Sequence, residues 1–296
     1  MRGPERRAAP GRRPGPEAER GPLLFGPLHE VGLPRYVLLP GDPDRVGVLA
    51  GLWDEATDYS LARGYRAAVG RYRGEPLAAL STGMGGPSLE FALTEAAQLG
   101  ADTFIRVGTT GALQPELRNG DLVVNEGCVR MDGTSQAYVR AEYPAVASLE
   151  VTLALMEACL RLGITHHVGV GATTASFFPG QGRANPAGYE APEGRGVVEE
   201  MRRARVLNFE MEGATLLTVA RLLGLRAGQV CSVIAHRLTG EWADAGGVER
   251  ACRVATEAVA VLASWDRAVA RRAAAAWAPS LGQEETETGE GEERRG

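Results

Sequence analysis

Lysine is missing altogether. All 32 basic residues are arginine, and the abundant alanine and glycine around them point to G+C-rich coding rather than to a surface selected for anions. Cysteine is scarce: Cys128, Cys159, Cys231 and Cys252 lie far apart with no paired spacing. That pattern argues against a disulfide framework or a zinc site and fits small buried thiols in a reducing cytoplasm. His29, His166, His167 and His236 show no metal-ligand spacing with one another or with the cysteines, so no metal is expected. No apolar run approaches the ~18 residues of a membrane span, so no membrane association is expected. The N-terminus carries arginines but no hydrophobic segment of a secretory signal. Net charge is -5, which gives no support to nucleic-acid or acidic-membrane binding. A Gly-x-Ser-x-Gly elbow, a P-loop and a dinucleotide fingerprint are likewise missing.

What is present divides into three parts. Residues 1–21 are mostly Arg, Pro, Gly, Ala and Glu and read as a disordered arm; residues 279–296 read as a disordered acidic tail. Between them, residues 22–278 alternate strand and helix signals with no internal repeat or boundary. This predicts one α/β domain with a mixed β-sheet core flanked by helices.

Strands are expected at 36–39, 65–72 and 77–81 (a hairpin), 103–107, 121–124 with an extension to 130, 168–172, 206–209 and 229–235. Helices are expected after Pro87 with Ser88 as N-cap, at 149–162, from about Glu210 to Leu223, and over 247–277.

The centre of the chain is Thr103-Phe104-Ile105-Arg106-Val107-Gly108-Thr109-Thr110-Gly111-Ala112. An arginine set into a buried strand is costly unless an anion or a structural carboxylate meets it. The following Gly-Thr-Thr-Gly reads as a turn whose backbone N–H groups and hydroxyls face the carboxyl end of the strand, where open α/β sheets bind ligands. Arg45, behind Pro40-Gly41-Asp42-Pro43, and Arg63, before the hairpin, are further arginines in strand-end contexts. A guanidinium fork suits phosphate oxygens, and Gly41 admits a close backbone approach, although each arginine alone also reads as a surface residue.

Glu210-Met211-Glu212 sits where strand becomes helix; its carboxylates can accept hydroxyl groups of a sugar or simply complement a helix N-terminus. Gln181 and Arg183, behind Phe177-Phe178, offer the donors and acceptor that an imide base edge needs, with an aromatic ring for its face; a solvated loop is the alternative.

These pieces occur together as Leu39-Pro40-Gly41-Asp42-Pro43-Asp44-Arg45-Val46, Ser81-Thr82-Gly83-Met84-Gly85-Gly86-Pro87-Ser88, the Arg106 to Ala112 run, Phe177 to Arg183, Asn208 to Glu212, and Gly224-Leu225-Arg226-Ala227-Gly228. In that order the chain resembles the nucleoside phosphorylases of the hexameric type, over about residues 36–240. The resemblance implies phosphorolysis of uridine to uracil and ribose 1-phosphate, with inorganic phosphate as co-substrate and no other cofactor. It assigns phosphate to Gly41, Arg45, Arg106 and Thr109, with Arg63 lent by a neighbouring subunit.

It also assigns ribose to Thr109, Met211 and Glu212 with Glu210 close by, and uracil to Phe177, Gln181 and Arg183, supported by Arg237. Arg106, Gln181 and Arg183 are the expected catalytic residues, and the expected assembly is a homo-oligomer, a hexamer built from dimers. Purine-specific members carry an aspartate near Ile234-Ala235-His236; none stands there, which favours a pyrimidine. Where the family lends a histidine to the neighbour's ribose the chain has Leu23-Leu24, and Gly64 replaces an acid that some members use for a cation. The alternatives are a purine or other nucleoside phosphorylase, a hydrolase, and a non-catalytic nucleoside-binding homologue.

Overall fold

The computed structural model describes residues 25–272 and Ala278. The expected arm and tail, Leu23-Leu24 and the end of the expected 247–277 helix lie outside the described residues.

In chain order the elements are α1 (Gly26–Val31), β1 (Tyr36–Pro40), α2 (Asp44–Ala50), β2 (Glu55–Ser60), β3 (Arg66–Tyr72), β4 (Glu75–Leu80), α3 (Gly86–Gln98) and β5 (Thr103–Ala112). They continue with β6 (Leu122–Met131), α4 (Gly133–Tyr138), β7 (Ala145–Val146), α5 (Leu149–Arg161), β8 (His166–Thr174), α6 (Val197–Arg203), β9 (Asn208–Glu210), α7 (Gly213–Leu222), β10 (Arg226–His236) and α8 (Gly247–Arg272). The apolar run at the start is β1, buried at every position because it lies between β4 and β5, parallel to both. Arg73 and Gly74, at φ 49° and 77°, make the tight turn of the β3–β4 hairpin. β2 completes that side as an edge strand. Its Glu-Ala-Thr-Asp-Tyr-Ser sequence is mostly exposed and carries no apolar alternation, so the sequence did not announce it.

On the other side the sheet closes on itself. β5 pairs with β10 in parallel, β10 with β6 antiparallel, β6 with β8 and β8 with β9 in parallel, and β9 returns antiparallel to β5. This five-strand ring, extended by β1, β4, β3 and β2, is the frame of the molecule. Helices cover both faces: Leu89, Leu93 and Leu216 pack on one, and Val151, Leu155, Val254, Val259 and Leu262 on the other. The α/β domain with a mixed sheet is therefore as expected; the closure is an addition.

Three local expectations are corrected. Gly108-Thr109-Thr110-Gly111 is not a turn but the second half of β5, which keeps pairing with β10 past a bulge between Val233 and Ala235. The glycines serve close packing there: a Cβ on Gly108 would lie 2.8 Å from the Cys231 sulfur. Ser88 is not the N-cap of α3. Gly85 is, at φ 89°, with Pro87 in the first turn, and the Ser88 hydroxyl donates to the Thr82 carbonyl instead. The helix after the short strand begins at Gly213 rather than Glu210, because Glu210 completes β9 and Glu212 precedes the first turn.

Candidate active site

The carboxyl ends of β1, β5 and β10, together with the β9–α7 corner, surround a cavity of about 600 Å³. Ligands of α/β sheets gather at such strand ends. One end of the cavity is built from Gly41, Arg45, Arg106 and Thr109. Gly41 leaves β1 beside Arg106: a Cβ there would meet the Gly83 carbonyl at 3.2 Å and lie 3.9 Å from Arg106 Nη1. Arg45, in the first turn of α2, donates from Nη1 to the Val107 carbonyl at 2.8 Å and leaves its buried Nε without a partner. Burial pulls the Arg45 guanidinium below its ordinary range.

Of the two partners that the sequence offered as alternatives, Arg106 meets structural carboxylates. It is buried, its Nε donates to Glu210 at 3.1 Å and its Nη2 contacts Glu212 at 2.5 Å, yet it also lines the cavity. Burial works against its charge, but Glu212 and then Glu210 outweigh it and hold the guanidinium above the ordinary arginine range. Glu212 is raised above the usual carboxylate range, by burial first and by the neighbouring Glu210 charge, against the pull of Arg106.

The two carboxylates differ in what they have left to offer. Glu210 accepts from Arg106, the Thr173 hydroxyl, the Glu212 N–H at 2.9 Å and the Gly213 N–H at 2.8 Å, so both of its oxygens are committed to protein donors. Expected beside the ribose, it lines the cavity while holding the β9–α7 corner together. Glu212 accepts from Arg106 and the Gly85 N–H, and Met211 lies between the two acids on the cavity wall.

At the far end stand Phe177, Gln181 and Arg183. Gln181 is buried; its Nε2 donates to Thr174 Oγ1 at 3.2 Å, and Arg237 donates to its backbone carbonyl at 2.8 Å and to Oε1 at 3.4 Å. Arg237 thus supports Gln181 from outside the cavity lining. Burial, and then the charge of Arg183, lower the Arg237 guanidinium to about 10.

Arg63 and His29 are not brought to this cavity. Arg63 sits exposed in the turn at Ala62–Gly64 with φ 59°, and its guanidinium has no hydrogen bond or ion pair among the described residues. His29 Nε2 lies 3.5 Å from Glu95 Oε1 on α3. His166 and His167 begin β8 half-buried, and His167 Nε2 lies 3.0 Å from Asp121.

Sequence reasoning missed Met84, Phe209, Ile234 and, above all, Trp242 on the cavity wall. The available signal for Trp242 was a large aromatic in the otherwise polar stretch Thr239-Gly240-Glu241-Trp242; it lines the cavity with one side and stays exposed on the other.

A cavity lined by arginines beside two carboxylates, by an amide and by a guanidinium over an aromatic ring defines a site for a ligand that is part anion, part polyol and part planar ring. The chain belongs to the phosphorylase superfamily, whose family model matches residues 35–269. It is 50% identical to uridine phosphorylase of Thermococcus kodakarensis over 266 residues, which covers 90% of this chain and 96% of that protein. It is 44% identical to uridine phosphorylase of Escherichia coli over 205 residues, or 69% of this chain and 81% of that one. Guanosine phosphorylase of Halorubrum lacusprofundi is 34% identical over 248 residues, or 80% of this chain and 95% of that protein.

Proposed function

We propose that the protein is a pentosyltransferase that cleaves uridine with inorganic phosphate, giving uracil and ribose 1-phosphate. The observation that carries this reading is the joining of Gly41, Arg45 and Arg106 with Gln181 and with Arg183 over Phe177 in one cavity. Phosphate is held by Gly41, Arg45, Arg106 and Thr109, the ribose hydroxyls by Thr109, Met211 and Glu212, and the uracil by Phe177, Gln181 and Arg183. A phosphate oxygen forms the new bond to the anomeric carbon as the bond to the base nitrogen breaks. The bonding electron pair leaves with the base, which takes up a proton to become uracil. Arg183 and Gln181 face the growing negative charge on the base, so they bind the transition state more strongly than the substrate. No metal or organic cofactor enters this scheme; phosphate is the co-substrate.

Uridine is favoured over a purine because Ile234, Ala235 and His236 place no carboxylate at the base end, while the Gln181 amide is fixed there by Arg237 and Thr174. The relatives named uridine phosphorylase support the same choice. Phosphorolysis is favoured over hydrolysis by the uncommitted Arg45 Nε at the anion end. Arg63, exposed and unpaired among the described residues, fits a homo-oligomer in which a neighbour's cavity receives it, a hexamer built from dimers. The four free, buried cysteines fit a cytoplasmic protein. A panel of nucleosides assayed for free base with and without phosphate tests the whole reading. Phosphate-dependent release of uracil, far faster than release of hypoxanthine or guanine, is expected. Phosphate-independent release would make the protein a hydrolase, and no release would make it a binder.

A further inference from the structure

Arg183 is held in an unusual way for a cation in a largely apolar cavity. No hydrogen bond or ion pair engages its guanidinium among the described residues, and its Nε is buried without a partner. Its contacts are two aromatic faces. The guanidinium carbon lies 4.5 Å from the centre of the Phe177 ring and 5.3 Å from that of Trp242, and the two rings are themselves 6.2 Å apart at 54°. Phe177 belongs to the loop after β8, but Trp242 comes from the loop between β10 and α8, where a bridge to Ala235 ties it to the cavity wall. Burial pulls the Arg183 guanidinium below its ordinary range, and its charge in turn acts on Arg237.

We propose that Trp242 is a positioning residue: its ring stands beside Phe177 rather than across from it, and the two form a corner that holds the Arg183 guanidinium so that its free N–H groups face the departing base. This deepens the uridine phosphorolysis reading and rests on it for its kinetic test. The physical basis is the preference of a guanidinium for aromatic faces, which leaves its in-plane N–H groups free. Hydrogen-bonding acceptors would occupy those N–H groups; an aromatic corner restrains the fork from two sides and places no acceptor against it. Fixing the fork before reaction also avoids reorganisation as negative charge appears on the base. The clamp joins two loops that are distant in sequence, so neither loop positions Arg183 alone.

The test compares Trp242→Ala, Trp242→Phe, Arg183→Ala and the Arg183→Ala/Trp242→Ala double variant, each assayed on uridine and on 5-fluorouridine, whose base is the more acidic leaving group. Misplacing a reacting group by about 1 Å costs about 10²-fold, so Trp242→Ala should lower kcat for uridine by roughly 10- to 100-fold. It should lower kcat for 5-fluorouridine less, because an acidic base needs less help in carrying charge. Trp242→Phe keeps an aromatic face and should restore most of the loss. The double variant should be no slower than Arg183→Ala, since two members of one unit are not additive.

Equal losses on both substrates, or a fully additive double variant, would mean that Trp242 merely touches the base, and would overturn the inference. A crystal structure of Trp242→Ala gives a readout independent of which nucleoside is cleaved. A displaced Arg183 guanidinium supports the clamp, and one unmoved over Phe177 overturns it.

Discussion

At the scale of single residues, the cavity depends on a buried cluster with one guanidinium and two carboxylates. Arg106→Ala leaves Glu210 and Glu212 facing each other without their cation. Removing one partner of a buried pair typically costs about 3–5 kcal/mol, so a clear fall in melting temperature is expected. Loss of the preorganised donor at the anion end should in addition lower kcat/KM by about 10²–10³. Near-normal phosphorolysis by a folded Arg106→Ala variant would show that Arg106 is structural alone.

Glu212 carries a separate expectation. Its carboxyl is raised by burial, so it takes up a proton above the usual carboxylate range as pH falls. A protonated Glu212 no longer pairs with Arg106, so kcat/KM for uridine at saturating phosphate should decline towards acid from that raised value. Glu212→Gln, already neutral, should start lower and lack that limb. An unchanged acid limb in this variant would assign it to another group.

At the scale of elements, β5 is the critical one, and its second half could not be read from sequence. Gly108 and Gly111 flank Thr109-Thr110 and lower the strand propensity of the run, and pairing with β10 and β9 holds it extended. Gly108 tests this packing. A Cβ there would stand 2.8 Å from Cys231 Sγ and 2.9 Å from Arg106 Nη2. Gly108→Ala should therefore cost about 1–3 kcal/mol as overpacking and weaken phosphate binding by displacing Arg106. Adding Cys231→Ala makes room on one side and should recover part of the melting temperature. A Gly108→Ala variant with unchanged stability and phosphate KM would show that the strand yields freely.

The rest of the site was legible in proportion to its chemistry. Arg45, Arg106, Gln181, Arg183 and Glu212 could be picked out because a charge or an amide beside apolar strand ends needs a reason. Met84, Phe209 and Ile234 could not, because nothing in an apolar residue marks it as cavity wall until the chain is folded; Trp242 carried only the faint signal of an aromatic in a polar stretch. β2 escaped for the opposite reason: its exposed polar residues give no inward-facing pattern. The commitment of Glu210 to Arg106, Thr173 and two backbone N–H groups was also hidden, since Thr173 is far from it in sequence.

At the scale of the whole molecule, Arg63 raises the question of assembly. It lies exposed and, among the described residues, unpaired on its own subunit, outside the lining of its own cavity. If a neighbour's cavity receives it, Arg63→Ala and Arg106→Ala chains should complement each other. Each variant alone is impaired at every site, but a mixed pair contains one cavity with both lesions and one with none. Unfolding and refolding the two variants together should therefore restore activity that the unmixed variants lack. Mixtures no more active than the average of the two would place Arg63 outside the catalytic unit.

The closed ring also has a consequence in time. β5 has neighbours on both sides for much of its length, β1 then β9 on one and β10 on the other, so its amide protons can meet solvent only when the frame itself opens. The base end is attached differently, by the 177–183 stretch and the loop from Arg237 to Gly246, which can part without breaking a ladder in the ring. Hydrogen exchange should therefore be slowest along β5 and fast around Phe177 and Trp242. Such an enzyme can release and recapture its base many times while the seat of the anion stays formed.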